Sequence, residues 1–237
     1  EAGYQANYIT LNALYYGVPQ NRKRVFMIGW KNECEVPKIP MDISFDVKVK
    51  HALSGLPEID TPYDCNEQGF MDFDYNYRKT QSWYPQLLAQ LYPNNPNPPG
   101  YISGCRMTNH SPRIMKRFLE TNPGKTEPVS RFHRLHLDRI APTLRAGTTA
   151  ERGAHTAARP IHPTKARCIT VREAARLHSY PDWFQFDPSI WKGFMQVGNS
   201  VPPLLAHAVA GAIADALIGG TYETDNKKLI RHYRTAF

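Results

Sequence analysis

"YGVPQNRKRVFMIG", residues 16–29, sets a tight polar turn with three basic side chains between two strand-like runs, 8–14 and 24–30. Both runs are rich in β-branched and aromatic residues, and Gly17 and Pro19 punctuate the join, so a hairpin is expected. Strand side chains alternate, which places Arg22 and Arg24 on one side of the second strand. Two guanidiniums on one side repel each other, so an acidic or polar partner is expected to face them. The plain alternative is a hairpin whose basic residues are simply solvated.

The chain has 237 residues and a formal net charge of +8, enough for one large or two small domains with an ample core. The charge is uneven. Residues 101–180 hold 15 Lys and Arg against 5 Asp and Glu, leaving 14 against 16 elsewhere. Such a basic block points to a polyanion, nucleic acid first. Cys34, Cys65, Cys105 and Cys168 are scattered without a C-x-x-C pair, so neither a disulfide framework nor a zinc site is expected, and a reducing cytoplasm fits. His133 and His136 have H-x-x-H spacing but no second ligand pair, and no metal is expected. The most apolar stretch, 204–218, is short and interrupted by His207 and Asp215, so no membrane span is expected. The chain opens on Glu1, which suggests a processed, tagged or incomplete product.

Three zones follow. Residues 1–31 hold the two strands. Residues 32 to about 140 are irregular and proline-rich, with an acidic patch near 42–74, and "YPNNPNPPG", 92–100, suits neither helix nor central strand. One helix stands out there, in "SPRIMKRFLETNPG": Ser111 can cap it, Pro112 opens it, Gly124 follows it, and Ile114, Met115, Phe118 and Leu119 form its core face. In the third zone "TVREAARLHSYPDWF" begins with the capping box Thr170-x-x-Glu173 and must stop before Pro181. Then Pro202 and Pro203 open a long apolar helix that Gly219 and Gly220 close. It asks for a sheet that two strands cannot supply. Trp183, Phe184, Phe186 and Trp191 are read as packing around the Pro181 turn, not as base-stacking platforms.

Three of these stretches carry a family resemblance. "LNALYYGVPQNRKRVFMIG" resembles the eighth motif of the cytosine-5 DNA methyltransferases, with Gln-x-Arg-x-Arg after Gly-Val-Pro. "RCITVREAARLHSYPDWFQF" is similar to their ninth motif, and "QVGNSVPPLLAHAVAGAI" to their tenth. They stand in the family's order, with a variable stretch between the first two. The resemblance implies the C-terminal part of an α/β, Rossmann-like methyltransferase with a small, irregular, mixed target-recognition domain. In that scheme 1–31 would be the last strands of the catalytic domain and 32–165 the recognition domain. The ninth- and tenth-motif helices would occupy 166–220, followed by a tail at 221–237.

Motifs of the family's other half are not in the sequence. No two glycines are separated by one residue, as the cofactor loop would require, and no Pro-Cys-Gln nucleophile or Glu-Asn-Val segment occurs. Cys34 lies between two carboxylates, the reverse of the electropositive setting a nucleophilic thiol needs. Alone, the chain is expected not to methylate DNA, being either a truncated enzyme or the C-terminal subunit of a split one.

The resemblance implies a cofactor, S-adenosylmethionine, and two partners: double-stranded DNA and the N-terminal catalytic half, fused or separate. It implies a modification enzyme of a restriction–modification system in a prokaryotic cytoplasm, at the nucleoid. By motif match Arg24 would contact cytosine O2, Arg22 a phosphate or the catalytic glutamate, and Gln20 would brace the turn. Asn199, Ser200 and Val201 would close one side of the cofactor pocket. In "IAPTLRAGTTAERGAH", 140–155, Thr143, Arg145, Thr148 and Arg152 are the candidates to face DNA, at phosphates or guanine edges, the alternative being a mobile basic loop that meets phosphate only; Arg134, Arg139 and Arg131 would position the backbone. A DNA-binding relic without catalysis is the main alternative. A restriction nuclease would need a carboxylate cluster that "ECEVPK", 33–38, imitates poorly.

Overall fold

The computed structural model describes residues 3–31, 34–39, 46–74, 82–91, 100–146 and 159–218. The opening hairpin is there, with different ends. Strands β1 (Tyr4–Asn12) and β2 (Lys23–Lys31) run antiparallel, with Leu11 opposite Arg24 and Asn12 opposite Lys23. Leu14, expected at the end of the first strand, instead lies in a 3-10 turn over Ala13–Tyr16. The Asn12 side chain accepts the Leu14 N–H to start that turn, and Gly17, at φ +81°, ends it. Asn12 Oδ1 also accepts the Arg22 N–H at 3.1 Å. The connection is therefore held by its own side chains and is not a free loop.

Alternation along β2 leaves Arg24, Phe26, Ile28 and Trp30 half-buried on the inner side, while Val25 and Met27 stand 67% and 79% exposed on the outer. The inner side rests on the main core. That core draws on the turn (Leu11, Tyr16, Val18), on α1 (Val49–Leu53) and α2 (Trp83–Gln90), and on Leu135, Ala141 and Leu144. It continues into α4 (Val171–Leu177), α5 (Ile190–Asn199) and α6 (Pro203–Ile218). All three sequence zones thus share one interior. A two-residue pair, β3 (Met71–Asp72) with β4 (Tyr101–Ile102), sits over a smaller cluster of Ile59, Ile102 and Cys105.

Helix α3 (Pro112–Glu120) begins at Ser111 and Pro112 as expected, but its apolar face is only partly covered. Phe118 is buried against Ile161 and Cys168, while Met115 and Leu119 are exposed. Helix α4 starts at the expected capping box: Thr170 Oγ1 accepts the Glu173 N–H at 3.2 Å and Glu173 accepts the Thr170 N–H at 2.7 Å. Every residue of α4 is buried. By length and composition 190–217 is apolar enough to cross a membrane. In the structure it breaks at Ser200–Pro202, and Leu204, Leu205, Ala208, Val209 and Ala212 of α6 lie in the core.

Candidate functional site

The hairpin turn, the segment 141–146 and the α5–α6 junction meet at one place, and polar side chains hold them there. Gln20 is fully buried. Its Oε1 accepts the Leu144 N–H at 3.0 Å, and its Nε2 donates to Leu177 O at 3.2 Å and reaches His178 Nδ1 at 3.1 Å. Main-chain bonds reinforce this join: Ala141 N–H donates to Pro19 O and Asn21 N–H to Ala141 O. Arg22 is also fully buried. Its Nη1 donates to Leu144 O at 2.8 Å, and its Nη2 donates to Gly198 O and, at 3.1 Å, to Ser200 O. Leu144 is therefore gripped through its N–H by Gln20 and through its carbonyl by Arg22.

The partner expected for the arginine pair is thus a set of main-chain carbonyls and not a carboxylate. The expectation that Arg22 meets a phosphate does not match its burial, because its two Nη donors hold the turn against the α5–α6 junction. The Arg22 Nε–H is buried without a partner among the described residues. Arg24, two residues on, differs. It is half-exposed, its Nη1 donates to the neighbouring Lys23 carbonyl at 2.8 Å, and partial burial lowers its pKa from the ordinary arginine value. Among the described residues no carboxylate pairs with it, and its guanidinium retains donors for a ligand.

At the α5–α6 junction Asn199 is exposed, while Ser200 and Val201 are half-buried. The Ser200 hydroxyl turns inward onto Val197 O at 2.9 Å. Gly198 is needed for close approach: a Cβ there would lie 2.5 Å from Ala146 Cα and 2.7 Å from Arg145 C. Asn199 offers an amide with no partner among the described residues and Val201 an apolar side chain, a set compatible with the amino-acid end of S-adenosylmethionine.

The candidates for DNA divide sharply. Thr143 and Arg145 are exposed beside the junction, and Thr143 Oγ1 donates to Asn21 O at 2.5 Å. Arg131 and Arg139 are exposed as well, and the Arg139 guanidinium lies against Gly124. Thr148 and Arg152 lie outside the described residues. Arg134 is corrected: it is buried, and its Nη1 donates to the carbonyls of Phe118, Leu119 and Thr121, closing the end of α3. Its Nε and Nη1 donors are thus committed to main-chain carbonyls.

The same physics reduces the basic block. Arg134, Arg167, Arg172 and Arg176 are buried, four of the fifteen cations counted between 101 and 180. Arg176 forms a two-pronged pair with Asp182, 2.6 and 2.5 Å. Arg167 pairs likewise with Glu173 at 2.8 and 2.9 Å. Burial pushes the Glu173 carboxyl up, but the hydrogen bonds and charge of Arg167 outweigh it and hold the group below its usual range. Arg172 donates to Ser103 and lies 5.6 Å over the Phe186 ring, within the aromatic packing around Pro181.

Sequence reasoning overlooked His178 and Ser179, which follow α4. Ser179 holds a left-handed backbone, φ +66°, and its Oγ accepts the Leu204 N–H in the first turn of α6. His178 Nε2 lies 3.3 Å from Ser200 O, and burial pushes this imidazole down to about 4. The only sign of either residue in the sequence was its place between a capped helix and Pro181.

The chain is thus mixed α/β, and its hairpin turn, the end of α4 and the α5–α6 junction meet at one corner. The family model for C-5 cytosine-specific DNA methylases matches residues 1–215, and the chain belongs to that family. Its relatives include the type II methyltransferase M.XorII of Xanthomonas oryzae, 42% identical over 219 residues, 89% of this chain and 50% of that protein. M.BsuRI of Bacillus subtilis is 29% identical over 96% of this chain and 46% of its own length. Among solved structures, one described as a DNA modification methyltransferase encoded within an E. coli prophage superposes with a TM-score of 0.72. It is 31% identical, over 91% of this chain and 62% of that one. The chain spans about half the length of the curated relatives it matches. Members of the family use S-adenosylmethionine.

Proposed function

We propose that this chain is the target-reading and pocket-completing portion of a DNA (cytosine-5-)-methyltransferase, with the attacking thiol and the glycine loop for the cofactor on another stretch of polypeptide. The observation that carries this reading is the junction itself: Gln20 and Arg22 bind the turn, Leu144 and the Asn199–Ser200 rim into one rigid corner, with Arg24 beside it and free to meet a ligand.

Cytosine C5 is a weak nucleophile held inside the base stack, so the base must be extruded before reaction. Addition of a cysteine thiolate at C6 drives electron density toward O2 and N3 and makes C5 enamine-like. A guanidinium fixed near O2 stabilises that charge before it develops. Arg24 is assigned this task, because it is half-exposed and partly desolvated on a strand whose preceding arginine is anchored. Arg22 and Gln20 act behind it by holding the strand in place. S-adenosylmethionine, when bound, supplies the electrophilic methyl group; Asn199 and Val201 would form one side of its seat. Thr143 and Arg145, next to the junction, would face the duplex, and Thr148 and Arg152 extend the same segment. The finer fold assignment belongs to this proposal: β1 and β2 as the end of a Rossmann-like sheet, with 32–165 as the recognition domain. So does a role in bacterial restriction–modification at the nucleoid.

The test combines the 237-residue chain with an N-terminal half of a related methyltransferase, radiolabelled S-adenosylmethionine and unmethylated duplex DNA. Methyl transfer at cytosine C5 that needs both polypeptides is the expected result. DNA binding without transfer, across several matched halves, would replace this reading with a non-catalytic DNA-binding module.

A further inference from the structure

His178 sits where three parts of the chain meet, and its chemistry there is determined by its neighbours. Gln20 Oε1 accepts the Leu144 N–H, which fixes the orientation of the Gln20 amide and leaves Nε2 as a donor. That donor meets Leu177 O and His178 Nδ1. Nδ1 must therefore be bare, and the ring proton must lie on Nε2, aimed at Ser200 O. Ser200 O accepts from two parts of the molecule at once: Arg22 on the hairpin and His178 at the end of α4. The ring itself is fully buried and stacked on Tyr180, with centroids 6.0 Å apart and planes 13° from parallel.

We propose that His178, as the neutral Nε2–H tautomer, is a positioning residue that sets the register of the Gln20–Arg24 turn against the Asn199–Ser200 rim. Its functional consequence rests on the methyltransferase reading above; its geometric one does not. The imidazole works as a two-sided spacer, accepting on the side of the turn and donating on the side of the rim. Leucine would fill the space but make neither bond. Glutamine offers one acceptor and one donor and can make both. Protonation would defeat the device, because Nδ1–H would then face the Gln20 donor. A second cation would also stand near Arg24, the charged group that acts on this ring; burial and Arg24 favour the neutral form, and Ser200 O opposes them.

Two measurements test this. In the reconstituted enzyme, His178→Leu is expected to lower kcat/KM for S-adenosylmethionine about tenfold, the equivalent of one buried hydrogen bond, with DNA affinity changed less than about twofold. His178→Gln is expected to recover activity to within about threefold of the parent. A leucine variant as active as the glutamine variant would reduce His178 to a space-filler and overturn the proposal. Hydrogen exchange on the full chain decides the register without reference to activity. His178→Leu should speed exchange in 142–146 and 197–202 together and leave α3 unchanged, whereas His178→Gln should behave as the parent does. Should the leucine variant not fold, 15N spectra of the parent at neutral pH decide instead: a protonated Nδ1 would overturn the proposal. An enzyme that transfers no methyl group would refute the methyltransferase reading and leave the exchange and 15N results to judge His178.

Discussion

The junction around Leu144 and the outer face of the β1–β2 hairpin invert the usual arrangement of a protein. At the junction, Gln20, Arg22, His178 and Ser179 are fully or almost fully buried, and their polar atoms meet backbone groups. On the hairpin's outer face Tyr4, Tyr8, Val25 and Met27 stand 61–79% exposed. The first arrangement costs desolvation and is stable only because nearly every donor has an acceptor. The second makes no such demand and contributes little to the stability of this chain. What sits inside holds the shape, and what stands outside is available to other molecules.

The largest expected effect is that of Arg22→Ala. It would leave the carbonyls of Leu144, Gly198 and Ser200 short of a buried donor and cost roughly 4 kcal/mol of folding stability, read by chemical denaturation. Arg22→Lys should rescue little, since one ammonium cannot span the fork. Arg24→Ala sharpens the contrast: stability should change by less than about 0.5 kcal/mol, while the reconstituted enzyme should lose at least about a hundredfold in rate, near 3 kcal/mol of barrier, with little change in DNA affinity. Equal losses of rate and DNA affinity would reject the O2 assignment. Gly198→Ala should cost about 2 kcal/mol and displace 145–146, seen as faster proteolysis there.

Acid should attack the buried polar interior first. His162 and His178 are both pushed down to about 4, chiefly by burial. The unfolded chain takes up protons near pH 6.5 while the folded chain does not. Stability is therefore complete above about pH 6.5 and declines toward pH 4, by roughly 1 kcal/mol per histidine per pH unit. Denaturation midpoints across that range read the slope, and His178→Gln should reduce it. The smallest effect belongs to the outer face, where Met27→Ser should move stability by less than about 0.5 kcal/mol.

What could be read in advance follows the same division. The capping box at Thr170, the proline start of α6 and the hairpin were legible because each depends on residues a few positions apart. Arg134 was misjudged because nothing local distinguishes an arginine that closes a helix from one that meets phosphate; its acceptors lie 13 to 29 residues away. The basic block was overestimated for the same reason. Helix α1 escaped notice because it spans five residues, α2 because Pro85 in its first turn hides its start, and α5 because two glycines weaken its pattern. Arg24 was singled out by its motif, but that Arg22 is an internal brace became visible only when Gly198 and Ser200, more than 170 residues on, were found beside it.

The double grip on Leu144 touches only its main chain. No property of the side chain at 144 enters those two bonds, and the stretch feeding into the clamp can drift in composition without loosening it. Such a tether keeps the backbone at 144 in place whatever residues lead up to it.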